Sequence, residues 1–235
     1  HDRGAGVTLW ETATGNPVAS KRLVRRGLQI LPYQNRLMIG FSADAPVWME
    51  IVEEGETLRL VGGEEPIDVG IVAAAMDQRR GYAATYDLDG QLVLWRIDVD
   101  GSDDEGRFHA VSRNRLSGIR AIRFDPNENQ LVTGDSEGAI SVWGLPNLEL
   151  RTTKRVSSRQ VGGLDFSPNE RVMATSHFDG EILIWDTQTW EPRLSVRTDV
   201  APIRDLRFTA DGQRLIAGGK SPDLLVFQGR RADGD

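Results

Sequence analysis

The sequence predicts an all-β fold of repeated four-stranded antiparallel units, and three observations predict it. Short apolar runs ending in an aromatic residue recur as VTLW at 7–10, LVLW at 92–95, ISVW at 140–143 and ILIW at 182–185, with LLVF closing on Phe227 and a poorer copy, PVWMEIV, around Trp48. Their aromatic residues, from Trp10 through Trp48, Trp95, Trp143 and Trp185 to Phe227, are spaced by 38, 47, 48, 42 and 42 residues. Strands average about five or six residues, so such a period holds four of them with their turns. Before each aromatic run lies a pair of alternating segments joined by a polar turn: IRAIRFDPNENQLVTG, VGGLDFSPNERVMATS and IRDLRFTADGQRLIAGG. Pro-Asn and Asp-Gly supply the turn dihedrals that β-branched residues resist, which makes each pair a hairpin.

Naming these strands a and b, the aromatic strand c and the charged segment after it d, the chain can be followed in order. It opens in a b–c turn at 2–6, reaches its first strand c at Trp10 and adds a strand d around 18–24, giving a partial first unit over 1–25. Four full units are expected near 28–61, 69–111, 119–155 and 161–197. LQILPYQNRLMIG and GIVAAAMDQRRGYAAT are weaker copies of the a–b hairpin in the first two. The last unit supplies only a, b and c, over 203–227, so one domain spans 1–228 and GRRADGD at 229–235 is a polar tail.

The block ATSHFDGEILIWD resembles the second half-repeat of the WD-repeat (WD40) β-propeller family, with Thr175 at the strand b hydroxyl position, Asp179 as the b–c turn acid, and Trp185 with Asp186 as the WD dipeptide. AATYDLDGQLVLW matches through Thr85, Asp89 and Trp95, and TGDSEGAISVW through Thr133, Glu137 and Trp143, with Glu in place of Asp. The resemblance implies a hydrogen-bonded chain tying strand b to strand c in each blade. In the family that chain is completed by a His from a Gly-His pair; the histidines here are His1, His109 and His177, so a shorter network is expected. About five to six blades are covered. Because such repeats bury their faces against neighbours, the chain is expected to be the C-terminal part of a longer, seven-bladed ring, with a self-closed six-bladed ring as the alternative. The SPNE and TADGQRL turns suggest a bacterial member.

Chemistry-bearing patterns are sparse. With no cysteine, disulfides and thiolate sites are excluded. The acidic run DVDGSDDEG at 98–106 invites a calcium reading, but its Gly falls fourth rather than sixth and no Glu stands at the twelfth place, so a solvated loop is favoured. Neither a G-x-S-x-G elbow nor a phosphate-binding Gly-rich loop occurs, and His109 and His177 fall on different kinds of element. No catalytic residue, metal site or cofactor is expected. His177 is read as a turn residue, and the Trp stripe as packing between blades.

Net charge is −7, from 28 Lys plus Arg against 35 Asp plus Glu, which disfavours broad attraction to nucleic acid or anionic lipid. No apolar run approaches the roughly 18 residues that span a bilayer, and no signal peptide is visible at the first residues, so the cytoplasm is the default location. The arginines are more informative. Arg25, Arg26, Arg113, Arg115, Arg155, Arg159 and Arg197 all fall at or near d–a connections, which share one face, whereas Glu53, Glu54, Glu56, Asp98, Asp100, Asp103 and Asp104 fall on the opposite one. The resemblance implies a non-catalytic scaffold that binds a protein or peptide, here one with acidic groups, as the C-terminal sensor or adaptor module of a multidomain protein. The competing class is a propeller enzyme or small-ligand binder using the central channel.

Overall fold

The computed structural model describes residues 6–22, 31–33, 36–42, 45–54, 57–62, 71–98, 107–168 and 172–228. Arg25, Arg26, the loop at 99–106 and the tail at 229–235 lie outside the described residues. Among the described residues every regular element is a strand. In order they are β1 (Gly6–Trp10), β2 (Pro17–Arg22), β3 (Leu31–Tyr33), β4 (Arg36–Ser42), β5 (Ala45–Glu54), β6 (Thr57–Gly62), β7 (Ile71–Asp77), β8 (Tyr82–Asp87), β9 (Gln91–Asp98), β10 (Arg107–Arg115), β11 (Ile119–Phe124), β12 (Gln130–Asp135), β13 (Ala139–Gly144), β14 (Glu149–Arg155), β15 (Val161–Phe166), β16 (Val172–His177), β17 (Glu181–Asp186), β18 (Pro192–Arg197), β19 (Ile203–Phe208), β20 (Arg214–Gly219) and β21 (Leu225–Gln228).

Consecutive strands pair in sequence order. They form a two-stranded sheet (β1–β2), four-stranded sheets (β3–β6, β7–β10, β11–β14 and β15–β18) and a three-stranded sheet (β19–β21). Among the described residues these pairings are antiparallel, as short connections between successive strands require. The four-stranded sheets are antiparallel blades of a β-propeller fold, and among the described residues the sheets are not closed into a ring. The residues group into two units, 1–110 and 111–235, and the division falls within β10.

In the second unit the core lies between sheets. One cluster joins Ala121, Val132, Ile140 and Val142 of the β11–β14 sheet to Val161, Leu164, Met173, Leu183, Trp185 and Trp190 of the next. A second joins Ala174 and Ile182 to Ile203, Leu206, Leu215 and Ala217 of the β19–β21 sheet. In the first unit Ile71, Ala74, Ala83, Val93, Trp95 and Ile97 form a cluster of their own, with Phe108 edge-on to Trp95 at 6.5 Å. Alternation explains this placement, since period-two side chains give each strand one apolar side to bury.

Two local devices recur. The b–c turns of three sheets end in Gly90, Gly138 and Gly180, with φ of 82°, 84° and 85°, a left-handed conformation that glycine adopts without a Cβ penalty. The first strand of four sheets carries a β-bulge after its first residue, leaving Val72, Arg120, Gly162 and Arg204 as the extra residues.

Candidate protein-interaction face

Strand b and strand c are tied by the same side-chain bond in three sheets. The indole N–H of Trp95 donates to Thr85 Oγ1 at 2.9 Å, that of Trp143 to Thr133 at 3.0 Å, and that of Trp185 to Thr175 at 2.9 Å. Each Thr lies two residues before the end of strand b, and all three hydroxyls are buried. In the last sheet Phe227 stands at the aromatic place and Ala217 at the hydroxyl place, because Leu215 pairs with Phe227 as Met173 does with Trp185. Donor and acceptor have been lost together. That leaves no buried polar group unpaired, which would cost about 1–3 kcal/mol.

The turn acids stand differently from the expected set. Asp87 Oδ1 accepts the N–H of Gln91 at 2.9 Å, and Asp135 Oδ1 accepts those of Glu137 and Ala139, both at 2.8 Å, so the capping acids there are the last residues of strand b. Asp89 is exposed in its turn, and Glu137 reaches out to accept from Arg155 at 2.7 Å. In the third sheet Asp179 Oδ1 does accept the Glu181 N–H, at 3.3 Å. The place of Asp87 and Asp135 is taken there by His177.

His177 is a component that sequence reasoning read as a turn residue. It closes β16, is fully buried, and sets Nε2 3.1 Å from Thr175 Oγ1 and Nδ1 3.4 Å from the Arg159 carbonyl. With Nδ1–H donating to that carbonyl, Nε2 accepts from the Thr175 hydroxyl, and the neutral ring continues the chain that begins at Trp185. Burial holds its pKa below the ordinary value of 6.5, outweighing the Arg159 carbonyl, Asp179 and Glu181, which favour the cation. A histidine two residues after the strand b Thr was the only signal available.

The d–a connections are pinned against b–c turns. The Ser136 N–H donates to Gly118 O at 2.8 Å, and the Phe178 N–H donates to Gln160 O at 2.9 Å. Thr198 Oγ1 donates to Gly180 O at 3.0 Å. A Cβ on Gly138 would stand 2.5 Å from Ser157 O, so the connection lies directly on that turn. Antiparallel order puts b–c turns and d–a connections at one end of each sheet.

On this pinned end Arg115, Arg155 and Arg197 occupy equivalent places, each the last residue of the outermost strand of its sheet. Arg113 and Arg159 lie nearby in sequence, and all five are exposed. Arg155 is ion-paired to Glu137, whereas Arg115, Arg159 and Arg197 have no ion-pair partner among the described residues. Further inward, Arg123 of β11 lies 3.8 Å from Asp165 of β15, whose other oxygen accepts the Phe208 N–H of β19 at 2.9 Å. Burial raises the Asp165 pKa and lowers that of Arg123. These inner charges tie three strands together and are occupied with one another.

The sequence model of the WD domain, G-beta repeat family matches residues 109–144 and 149–186. Two relatives are similar to parts of the chain. The WD repeat, SAM and U-box domain-containing protein 1 of Danio rerio is 28% identical over 81 residues, covering 34% of this chain and 15% of that protein. The periodic tryptophan protein 2 homolog of Neurospora crassa is 24% identical over 143 residues, covering 55% of this chain and 16% of that protein. The chain thus spans about a sixth of the length of either relative. WD repeats are present over 109–186, and the fold is the one from which protein-interaction scaffolds are generally built. Both relatives are eukaryotic, so the bacterial source expected from the turn idioms finds no support in them.

Proposed function

We propose that the chain is a non-catalytic interaction platform that binds a protein or peptide bearing acidic groups on the end carrying its d–a connections. The observation that carries this reading is the repeat of Arg115, Arg155 and Arg197 at the ends of three outermost strands, in a chain whose net charge is −7. These arginines come from segments far apart in sequence, and an acidic partner would meet their like charge at the strand ends. Arginine suits the role because its planar fork pairs with a carboxylate through two hydrogen bonds. Arg113 and Arg159 belong to the same proposed set. Pinned connections supply a preorganised surface, which lowers the ordering cost of binding. As a module, the chain serves as a sensor or adaptor part of a longer cytoplasmic protein whose other blades complete a seven-bladed ring.

Selection of a displayed random-peptide library against the chain tests this. Bound sequences are expected to be enriched in Asp and Glu, and their association with the Arg115→Glu/Arg197→Glu variant is expected to slow and lose most of its dependence on ionic strength. Both arginines are exposed, so the thermal midpoint should stay nearly unchanged. Selected peptides that associate with the variant at the unaltered rate in low salt would place the binding surface elsewhere.

A further inference from the structure

The bulges that open the inner strands of the second unit form a row. In β11, β15 and β19 the extra residues are Arg120, Gly162 and Arg204, each the second residue of its strand. The order of the strands is set by Arg123, Asp165 and Phe208, which link β11 to β15 and β15 to β19. A Cβ built on Gly162 would lie 2.1 Å from Ile203 O and 3.1 Å from Arg204 Cα, so the β15 and β19 bulges touch and Gly162 must be bare. Two arginines therefore flank a backbone saddle without a side chain.

Their charges are unspent. Arg120 and Arg204 are exposed, and neither has an ion-pair or hydrogen-bond partner for its side chain among the described residues. Their neighbours differ: Arg123 pairs with Asp165, and Arg207 donates to Asp205 at 2.9 Å. A bulge removes its extra residue from the ladder and re-aims it, and bulges cluster next to functional sites. Strand a begins where the d–a connection ends, so this row lies on the same end of the sheets as Arg115, Arg155 and Arg197.

Resting on the interaction reading above, we propose that Arg120 and Arg204 are the anchors of that face, gripping the carboxylates of an acidic peptide that crosses the bare Gly162 backbone. The outer arginines draw the peptide in, and the two bulge arginines hold it. A net charge of −7 disfavours a long nucleic acid, whose charge extends far beyond two arginines, more than a short peptide that brings its carboxylates to them. Side-chain carboxylates can be placed singly at the two arginines, each taking a guanidinium fork.

The full chain titrated with fluorescein-labelled deca-glutamate, followed by anisotropy at low salt, tests the anchors. The unmodified chain should bind, and Arg120→Gln/Arg204→Gln should weaken affinity at least about tenfold, since two charge-assisted bonds are lost. Arg120→Lys/Arg204→Lys should recover only part of it, because an ammonium keeps the charge but not the fork. The rim variant Arg115→Glu/Arg197→Glu should instead slow association. Unchanged affinity in Arg120→Gln/Arg204→Gln alongside slowed association in the rim variant overturns the anchors and leaves the interaction face standing. Failure of deca-glutamate to bind the unmodified chain, or equally tight binding of a labelled deca-thymidylate, also overturns the proposal.

Discussion

Trp185, Thr175 and His177 form one buried line of hydrogen bonds, and any single substitution along it leaves a polar group unpaired. The chain already contains the alternative solution in Phe227 with Ala217. Trp143→Phe and Thr133→Ala, in the sheet that lacks this histidine, are therefore expected to be coupled, the double variant being more stable than the sum of the single losses by about 1 kcal/mol, measured by denaturant unfolding in a double-mutant cycle. His177 adds a pH dependence. Because burial lowers its folded pKa below 6.5, the unfolded chain binds more protons once the pH falls under that value. Stability contributed by the neutral ring is full above pH 6.5 and is lost as acid is added below it. Melting midpoints recorded between pH 7.5 and 5 should fall, and His177→Asn should flatten that part of the profile; an unchanged slope would mean that other groups dominate it. The Trp and Thr positions were legible because alternation puts both on the buried side of adjacent strands. The role of His177 was not, since its partner carbonyl belongs to a connection 18 residues away.

At the scale of the element, the b–c turn and the inner-strand bulge do different work. Gly90, Gly138 and Gly180 close turns, and the sequence announces them as Asp-Gly or Glu-Gly before an apolar run. Asp87 and Asp135 cap those turns from the strand end, a choice invisible to motif matching because Asp89 and Glu137 are closer to the glycine. Gly162 answers to a neighbouring strand rather than to its own backbone. Gly162→Ala would bring a methyl group to 2.1 Å from Ile203 O and push β15 away from β19. Its expected cost is that of overpacking, about 1–3 kcal/mol, read as a lower denaturation midpoint. A loss of less than about 0.5 kcal/mol, the range of ordinary surface substitutions, would show that the two strands separate freely.

At the scale of the molecule, burial and charge follow different rules. In the second unit apolar residues fill the spaces between adjacent sheets, so those sheets depend on one another for a core. Where the β19–β21 sheet has three strands, Leu194, Leu224 and Val226 are more than half exposed. In the second unit Arg155 and Arg197 end outermost strands and share that end of the sheets with the b–c turn acids Asp135, Glu137 and Asp179. Such an arrangement acts on association rate and salt dependence more than on stability. The ion pair of Arg155 with Glu137 is exposed on both sides, so it contributes little to folding, and a partner can displace it at low cost.

The sequence by itself determined the strand order, the period of four, the aromatic third strand with its threonine, and the recurrence of arginine at or near the d–a connections. All of these are local or repetitive: alternation and turn residues act within a hairpin, and a repeat shows the same pattern several times. Tertiary structure decided which charges are spent and which remain. Arg123 and Arg207 are occupied and Arg120 and Arg204 are not, although all four lie on equivalent strands, because a bulge shifts the register and the neighbouring sheet supplies Asp165. It also decided that His177 is buried and neutral, because only a connection laid over the end of β16 can exclude water from the ring.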